Sequence, residues 1–277
     1  MIPQKNISLI SNKSHLDGGR RIPETVIERD YCLAWFLFGL SQSLLREPLI
    51  FKGGTALRRC HFADYRFSED LDFTLVDEIP LEKVLEEFSA IFSWVKGETG
   101  IEFAHVRQEE SSENTHTFYI SYVGPLPGKA KEVKVDVTFR ELLIHPVEIK
   151  EIIKTHEEYF DFLEGPTIKV YSLNEVAIEK TCALFTPARN EPRDLYDIHY
   201  LIREEGVDMT QLIHDIDEKL KFKDSSFEER RDEFFKKEKR LQKLWNKRLS
   251  TQMSRLPEYN GIFRAVKRVY RQAGLIQ

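Results

Sequence analysis

Apolar and polar residues alternate with a period of two along several segments of the first 150 residues. RFSEDLDFTLV and EVKVDVTFR are the clearest examples, and each predicts a strand with one buried face. The predicted strands are 49–51, 66–76, 101–108, 116–124 and 132–140. Helical periodicity is found over 24–46, which begins after Pro23, and over 81–100, which Gly97 or Gly100 would end. A sheet flanked by helices is therefore expected here.

The pattern becomes helical after about residue 146. Ser172, followed three residues later by Glu175, predicts a capping box at the start of one helix. DLYDIHYLIREEG predicts a second helix over 194–206, which Gly206 ends. The residues that follow are also predicted to be helical.

The expected class is α+β, in two domains. Residues 1–150 are predicted to form a domain with a mixed sheet and flanking helices, and residues 151–277 a mainly α-helical domain. Loops are predicted near 125–131 and 160–170. With 277 residues and 41% apolar side chains, the chain is large enough for this arrangement.

Cysteine content and the amino-terminal sequence bear on the compartment. Cys32, Cys60 and Cys182 are far apart and odd in number, so we interpret them as core thiols in a reducing cytoplasm. The first residues lack the features of a secretory signal, and no apolar run is long enough to span a membrane. A cytoplasmic protein without a membrane partner is expected.

The net charge of −5 conceals an uneven distribution. Residues 221–277 contain 16 Lys and Arg against 7 Asp and Glu, whereas the rest of the chain is acidic. A basic segment on an acidic body suggests an anionic partner. A solvated helix face, or docking onto the acidic body, would explain the same charges.

A glycine pair follows the predicted strand 49–51. Gly53 and Gly54 allow a sharp turn and a close approach of the backbone to a ligand. A helix that starts at Thr55 would direct free N–H groups toward that ligand, and phosphate is a suitable guest. Lys52 adds positive charge. An ordinary tight turn with a solvated lysine is the alternative.

Two carboxylates follow on the next predicted strand. Asp70 and Asp72 would point to the same face, opposite Leu71 and Phe73, and their repulsion would be relieved by a divalent cation such as Mg²⁺. Asp136 lies on the polar face of a later strand. If the two strands are neighbours, three carboxylates converge, as in sites for phosphoryl displacement. A solvated strand face is the alternative for the first pair alone.

The order of these features resembles a known family. A glycine pair, a helix, a DxD strand and a third acidic strand residue look like the nucleotidyltransferase fold of the DNA polymerase β superfamily. FKGGTALRR and RFSEDLDF resemble, more narrowly, the AbiEii/AbiGii nucleotidyltransferase toxins, including their MenT-like members. ERDYCLAWFLFGL and EKTCALFTPARNEPRDLYDIHYL are similar to flanking motifs, so the likeness spans roughly residues 24–203.

The resemblance implies a role for each matching position. The nucleotide and its phosphates would be bound by Lys52, Gly53, Gly54, Thr55, Arg66, Ser68, Lys180, Arg189 and Arg193. The metal would be held by Asp70, Asp72 and Asp136. The catalytic set would comprise Asp70, Asp72, Asp136, Lys180 and Asp194, with Asp136 as third ligand or general base.

Several of these residues have simpler interpretations. Lys180 would be solvated, Asp194 would cap its helix, and Arg189 and Arg193 would be surface residues of a loop that contains prolines. Asp197, one turn after Asp194, is ranked below it.

The function implied by the resemblance is Mg²⁺-dependent transfer of a nucleoside monophosphate from an NTP, with release of pyrophosphate. The family implies a type IV toxin–antitoxin or abortive-infection system, inhibition of translation, a cognate antitoxin encoded nearby, and an RNA acceptor such as a tRNA 3′ end. The basic segment, with Phe234, Phe235 and Trp245 among its charges, adds modest support for RNA.

Three alternatives remain from the sequence. The acceptor would be a Ser, Thr or Tyr hydroxyl if the enzyme nucleotidylylates protein. The second alternative is a non-catalytic nucleotide-binding module with the same fold. The three acidic residues argue against it, because such a module has no need for them. The third alternative is a metal-dependent nuclease, but a glycine turn suited to a triphosphate is less consistent with that activity.

Overall fold

The chain is described by a computed structural model that covers residues 1–16, 18–77, 79–112 and 114–277. It forms two compact units. Unit 1 comprises Met1–Glu141 and Val147–Tyr171, and unit 2 comprises Leu142–Pro146 and Ser172–Gln277. None of the helices that the structure describes is long and apolar enough to cross a membrane.

Unit 1 is built on a mixed sheet of seven described strands. The strands are β1 (Leu49–Lys52), β2 (Leu71–Leu75), β3 (Glu102–Ser112), β4 (Thr115–Val123), β5 (Lys131–Phe139), β6 (Glu148–Glu151) and β7 (Thr167–Val170). Their order across the sheet is β3-β4-β5-β2-β1-β7-β6. β2 is antiparallel to β1 and parallel to β5, so the strand that carries Asp72 lies at the centre of the sheet.

The helices of unit 1 cover this sheet. They are α1 (Gln4–Leu16), α2 (Glu24–Ser41), the short α3 (Gly53–Ala56) and α4 (Leu81–Thr99). α2 is buried along almost its whole length and packs against α4, where Gly39 lies close to Ile91 and Val95. Gly100 ends α4 in a left-handed conformation, as one of the two predicted stops.

Unit 2 is helical in the part of the chain described. Its helices are α5 (Leu173–Phe185), α6 (Pro192–Arg203), α7 (Ile213–Phe222), α8 (Phe227–Arg230), α9 (Glu233–Lys236), α10 (Glu238–Leu249) and α11 (Tyr259–Gln272). Aromatic rings form its core, with Phe234 stacked on Phe263 and packed against Tyr270. The α+β prediction, a mixed sheet with helices and a helical carboxyl-terminal part, is confirmed.

The predicted strand over 66–76 is wrong in its first half, since β2 begins only at Leu71. Before that point the backbone carbonyls accept hydrogen bonds from side chains instead of a neighbouring strand. Arg58 donates to the carbonyl of Tyr65, and Thr55 donates to that of Asp70. Asp70 therefore lies just before the strand that carries Asp72.

Other differences arise from long-range pairing. The expected loop over 160–170 contains β7, whose Val170 pairs with Phe51 of β1. For the same reason unit 1 continues to Tyr171, beyond the predicted boundary at residue 150. A four-residue strand has too few positions for a period of two to be evident from sequence.

The capping box predicted at α5 is only half present. The Ser172 hydroxyl accepts from the Glu175 backbone N–H at 3.3 Å, as predicted. The Glu175 carboxylate, however, accepts from the backbone N–H groups of Ile144 and His145 and from Lys219 Nζ. Lys219 is fully buried, so the glutamate neutralises a buried ammonium instead of closing the helix terminus.

A buried ion cluster holds the helical segment Leu57–His61, which follows the glycine pair, against α2. The Asp30 carboxylate, on α2, lies 2.9 Å from Arg58 Nε and 2.5 Å from Arg59 Nη2. All three side chains are buried. Although burial favours the neutral acid, the two guanidinium groups hold the pKa of Asp30 below its usual value. Arg58 also bonds to the Tyr65 carbonyl, so this cluster positions the approach to β2.

Asp30→Asn should destabilise unit 1 strongly. The substitution leaves two buried guanidinium groups without their counter-charge, and we expect a loss of about 3–5 kcal/mol in the free energy of unfolding. Urea denaturation followed by circular dichroism measures it. Asp64→Asn, at an exposed position, is the control and should change stability by less than about 0.5 kcal/mol. A similarly small effect of Asp30→Asn would contradict the prediction.

His156 should make stability depend on pH. Burial, followed by the charge of Arg58, lowers the pKa of His156 from 6.5 to about 4. The unfolded chain therefore binds a proton that the folded chain does not, and stability is full above pH 6.5 and is lost as the pH falls toward 4. At pH 5 the loss is on the order of 2 kcal/mol.

The measurement is thermal unfolding of wild type and His156→Gln at pH 7 and pH 5. The variant should show a smaller decrease between the two pH values than the wild type does. His105→Gln, at an exposed position, should retain the wild-type decrease. Equal decreases in the wild type and His156→Gln would show that another group is responsible.

Candidate active site

The glycine pair makes unusually close contacts with three other predicted residues. Gly53 has φ +79°, and a Cβ at this position would lie 2.4 Å from Asp72 Oδ2. A Cβ at Gly54 would lie 2.6 Å from Arg66 Nη2 and 3.1 Å from Ser68 Oγ. Only glycine therefore allows the carboxylate, the guanidinium and the hydroxyl to approach this turn.

Thr55 has a structural contact at the same turn. Its hydroxyl is buried and donates to the Asp70 backbone carbonyl at 2.5 Å. The threonine therefore ties the start of α3 to the residue before β2. This contact fixes the distance between the glycine turn and the aspartates.

Lys52 is the last residue of β1 and is buried. Its backbone pairs with that of Asp72, and its Nζ lies 3.8 Å from the Glu141 carboxylate and 5.5 Å from the centre of the Tyr171 ring. Sequence patterns gave no reason to select Glu141, which follows β5 and is the last residue of the first segment of unit 1. The pair places a buried positive charge next to the aspartate strand.

The strand adjacency that the three-carboxylate hypothesis required is present. β2 and β5 are parallel neighbours, and Asp72 is the direct register partner of Asp136. Leu71 and Phe73 are fully buried on the opposite face, as their alternation predicted. Residues in register on adjacent strands lie about 5 Å apart, so the two carboxylates share one face of the sheet.

Both oxygens of the Asp136 carboxylate have partners. Oδ1 accepts from the Thr117 hydroxyl at 2.6 Å, and Oδ2 accepts from Lys134 Nζ at 2.6 Å. Burial lowers the pKa of Lys134, but the bond to Asp136 and the charges of Asp136, Asp70 and Asp72 outweigh it and raise that pKa. The ammonium of Lys134 is thus in the field of all three carboxylates.

The donor set suits a hard divalent cation. Asp70, Asp72 and Asp136 supply only carboxylate oxygens, which Mg²⁺ prefers. The residues present therefore fit the metal that the resemblance implies. To bind this metal, the Asp136 carboxylate would have to release the ammonium of Lys134.

A second group of potential ligands lies in unit 2. His214, Asp215 and Glu218 are the one set of described residues whose ligand atoms all lie within 4.8 Å of one another. They are on α7, and His145 Nε2 also lies 2.9 Å from Asp215 Oδ2. The His214 side chain is 88% exposed. None of these residues was predicted, and ordinary surface ion pairs account for the group.

Unit 2 holds a charge cluster made of other predicted residues. Lys180 Nζ lies 2.7 Å from Asp194 Oδ1 and 3.0 Å from Asp197 Oδ2, and both aspartates are buried. Arg189 Nε lies 2.6 Å from Asp194 Oδ2. Burial raises the pKa of Asp194, but Lys180 and Arg189 outweigh it and leave that pKa well below its usual value.

The simpler interpretations of Lys180 and Asp194 are wrong, whereas Arg189 is an exposed loop residue, as its simpler interpretation predicted. Lys180 is buried and doubly paired, and Asp194 does not cap α6, whose N-cap is Glu191. Asp197, which was ranked lower, also forms a salt bridge with Lys180, at 3.0 Å. Arg193 is only partly buried, and its Nε lies 3.6 Å from the Glu191 carboxylate.

Lys237 belongs to the same region and was not selected from sequence. Its Nζ donates to the carbonyls of Ala183 and Thr186, at 3.0 and 2.5 Å. Burial lowers its pKa to about 8, while the charge of Asp194 opposes the decrease. In the sequence Lys237 is one of several lysines in a basic segment, so no local pattern distinguishes it from its neighbours.

Two of the three aromatic residues among the basic charges are core residues. Phe234 and Trp245 are buried in unit 2, so they add nothing to the support that the basic segment gives to RNA binding. Phe235 is partly buried beneath Lys267. The basic side chains that are exposed on α10 and α11 are Lys239, Arg240, Lys243, Lys247, Arg248, Arg264, Arg268 and Arg271.

Comparisons with known proteins agree with this geometry. The sequence model of the nucleotidyl transferase AbiEii toxins of type IV toxin–antitoxin systems matches residues 35–271. None of the curated protein sequences matches the chain.

Two solved structures have a similar fold. MenT4, a nucleotidyltransferase toxin from Mycobacterium tuberculosis, superposes with a TM-score of 0.66 and 20% identity over 97% of this chain and 89% of that chain. JHP933 from Helicobacter pylori superposes with a TM-score of 0.59 and 18% identity over 91% of this chain and 93% of that chain.

Gly53→Ala should disrupt the turn. The positive φ costs an alanine about 1–2 kcal/mol, and the new methyl group would have to displace the Asp72 carboxylate. We expect that loss or more in urea denaturation. Gly97→Ala is the control, because its Cβ meets no atom within 4 Å and the residue lies in α4. It should stabilise by up to about 1 kcal/mol. Equal effects of the two substitutions would contradict the prediction.

Proposed function

Because this chain belongs to the AbiEii family of nucleotidyltransferase toxins, we propose that it is the Mg²⁺-dependent toxin of a type IV toxin–antitoxin system. It transfers a nucleoside monophosphate from an NTP to an RNA acceptor such as the 3′ end of a tRNA, and it releases pyrophosphate. The observation that carries this proposal is the register of Asp72 with Asp136 beside the glycine turn.

The carboxylates define where the reaction takes place. We assign Asp70 and Asp72 as metal ligands and Asp136 as the third ligand or as the base for the acceptor hydroxyl. A bound divalent ion supplies electrostatic stabilisation to the attacking and leaving oxygens. The acceptor oxygen forms a bond to the α-phosphorus while the bond to pyrophosphate breaks, and the hydroxyl proton passes to a base.

The glycine turn supports binding of the triphosphate. Gly53 and Gly54 keep the backbone free of Cβ atoms, and Arg66 and Ser68 provide a positive charge and a hydroxyl next to Gly54. Thr55 acts through its bond to the Asp70 carbonyl.

In unit 2, Arg189 is the proposed phosphate contact, because half of its side chain is exposed although it is paired with Asp194. Arg193 has the same proposed role and a weaker acidic partner. Lys180 and Asp194 keep the catalytic roles that the family resemblance implies. Their mutual bond orients the ammonium before any substrate is bound.

An RNA acceptor is favoured by the exposed cations of α10 and α11. Gln242 on α10 bonds to Asn260 on α11 at 3.3 Å, which joins the two helices. Both helices therefore add exposed positive charge to the same part of unit 2, and such charge favours binding of a phosphate backbone. The antitoxin is the second proposed partner. NTP and tRNA as substrates place this function in the cytoplasm.

The test is incubation with each of the four α-labelled NTPs, Mg²⁺ and total tRNA. The wild type should label RNA, and Asp72→Asn should reduce labelling at least about a hundredfold. Asp64→Asn is the matched control at an exposed aspartate and should label as the wild type does.

The site of the label decides between acceptors. If protein is labelled and RNA is not, the acceptor is a protein hydroxyl. If the RNA becomes shorter, the enzyme is a nuclease. No label in any macromolecule with any of the four NTPs would refute transfer and leave a nucleotide-binding module.

A further inference from the structure

A lysine takes part in the carboxylate site without belonging to any predicted set. Lys134 lies two residues before Asp136 on β5, so the two side chains project from the same face of the strand. Its Nζ lies 2.6 Å from Asp136 Oδ2, and 38% of its side chain is exposed. The lysine is thus held at the site and still has access to solvent.

The position of Lys134 has an electrostatic consequence. Asp72 and Asp136 are register partners, and Asp70 lies two residues before Asp72. Carboxylates on one face of a sheet repel one another unless a cation lies among them. The ammonium of Lys134 supplies a positive charge from within the chain, at the carboxylate that a divalent ion would also use.

We propose that Lys134 is a tethered counter-cation that competes with the divalent metal for Asp136. The proposal rests on the metal-dependent function proposed above and adds a regulation of that site. A metal ion that binds alone has to displace the Lys134 ammonium from Asp136. The displaced ammonium then loses the partner that it had at this carboxylate. A nucleotide brings a triphosphate, which offers the displaced ammonium a new partner, so metal and nucleotide bind cooperatively.

Regulation of this kind has a physical rationale. A nucleotidyltransferase that bound metal firmly without nucleotide would keep its carboxylates occupied but idle. With Lys134 in place, the carboxylates stay neutralised and ordered until both ligands are present. The bond from Thr117 to Asp136 Oδ1 holds the carboxylate in position while its other oxygen exchanges partners.

The experiment measures Mn²⁺ binding by electron paramagnetic resonance, with and without an NTP analogue whose α,β-bridge cannot be cleaved. Lys134→Gln should bind Mn²⁺ alone about tenfold more tightly than the wild type, because the competing charge is gone. The enhancement of Mn²⁺ affinity by the analogue should shrink by a similar factor. Lys134→Arg, which retains the charge, should behave as the wild type does.

Lys129→Gln is the matched control. Lys129 is exposed before β5, so the substitution changes the net charge equally without touching the site. It should leave Mn²⁺ affinity unchanged. Lys134→Met provides a second neutral side chain of similar length if the glutamine variant does not fold, and it should also bind Mn²⁺ about tenfold more tightly.

The outcomes separate this proposal from the transfer activity. Mn²⁺ affinity in Lys134→Gln or Lys134→Met that equals or falls below that of the wild type would overturn the role of Lys134, even if the wild type labels RNA. Tighter Mn²⁺ binding in both variants, with a wild type that labels nothing, would support the counter-cation and refute the proposed transfer.

Discussion

The ion pairs of the buried Asp30 with Arg58 and Arg59 determine how the rest of unit 1 is arranged. α2 is apolar along most of its length, so a carboxylate within it is costly unless cations reach it. Those cations come from the short helical segment Leu57–His61 that continues α3. Each also bonds elsewhere: Arg58 to the Tyr65 carbonyl, and Arg59 to the Ile153 carbonyl and the Thr155 hydroxyl. One carboxylate thereby fixes the chain before β2 and the chain after β6 against the same helix.

The same principle recurs at other charged clusters. Asp136 is paired with Lys134 in unit 1, and Asp194 and Glu175 are paired with Lys180 and Lys219 in unit 2. A buried carboxylate without a cation would be protonated, and a buried lysine without an anion would lose its charge. Pairing offsets part of the cost of placing both charges away from water. In the proposed function, these paired charges would be oriented before a substrate binds, which is the condition for electrostatic catalysis.

Sequence patterns predicted those features that depend on local geometry. Alternation identified β4 and β5 almost to the residue, and the helical period identified α2 and α4, because each signal is spread over many positions of one element. Asp70, Asp72 and the glycine pair were selected because their spacing is local. β6, β7 and α1 were not predicted. The two strands are four residues long and are defined by pairing with each other and with β1, which no local pattern contains. The three buried free thiols, predicted as core residues, depend only on apolar neighbours.

By itself the sequence determined the elements, the acidic and glycine motif and the family resemblance, since these depend on residue type and short spacing. Only the tertiary structure decided that β2 lies beside β5 with Asp72 opposite Asp136, since register between strands about 65 residues apart is set by packing. It also decided that Lys134 bonds to Asp136, that Asp197 and Lys237 join the charge cluster of unit 2, and that Phe234 and Trp245 are core residues. Charged and aromatic side chains look alike in sequence whether exposed or buried, and their partners are chosen only when the chain folds.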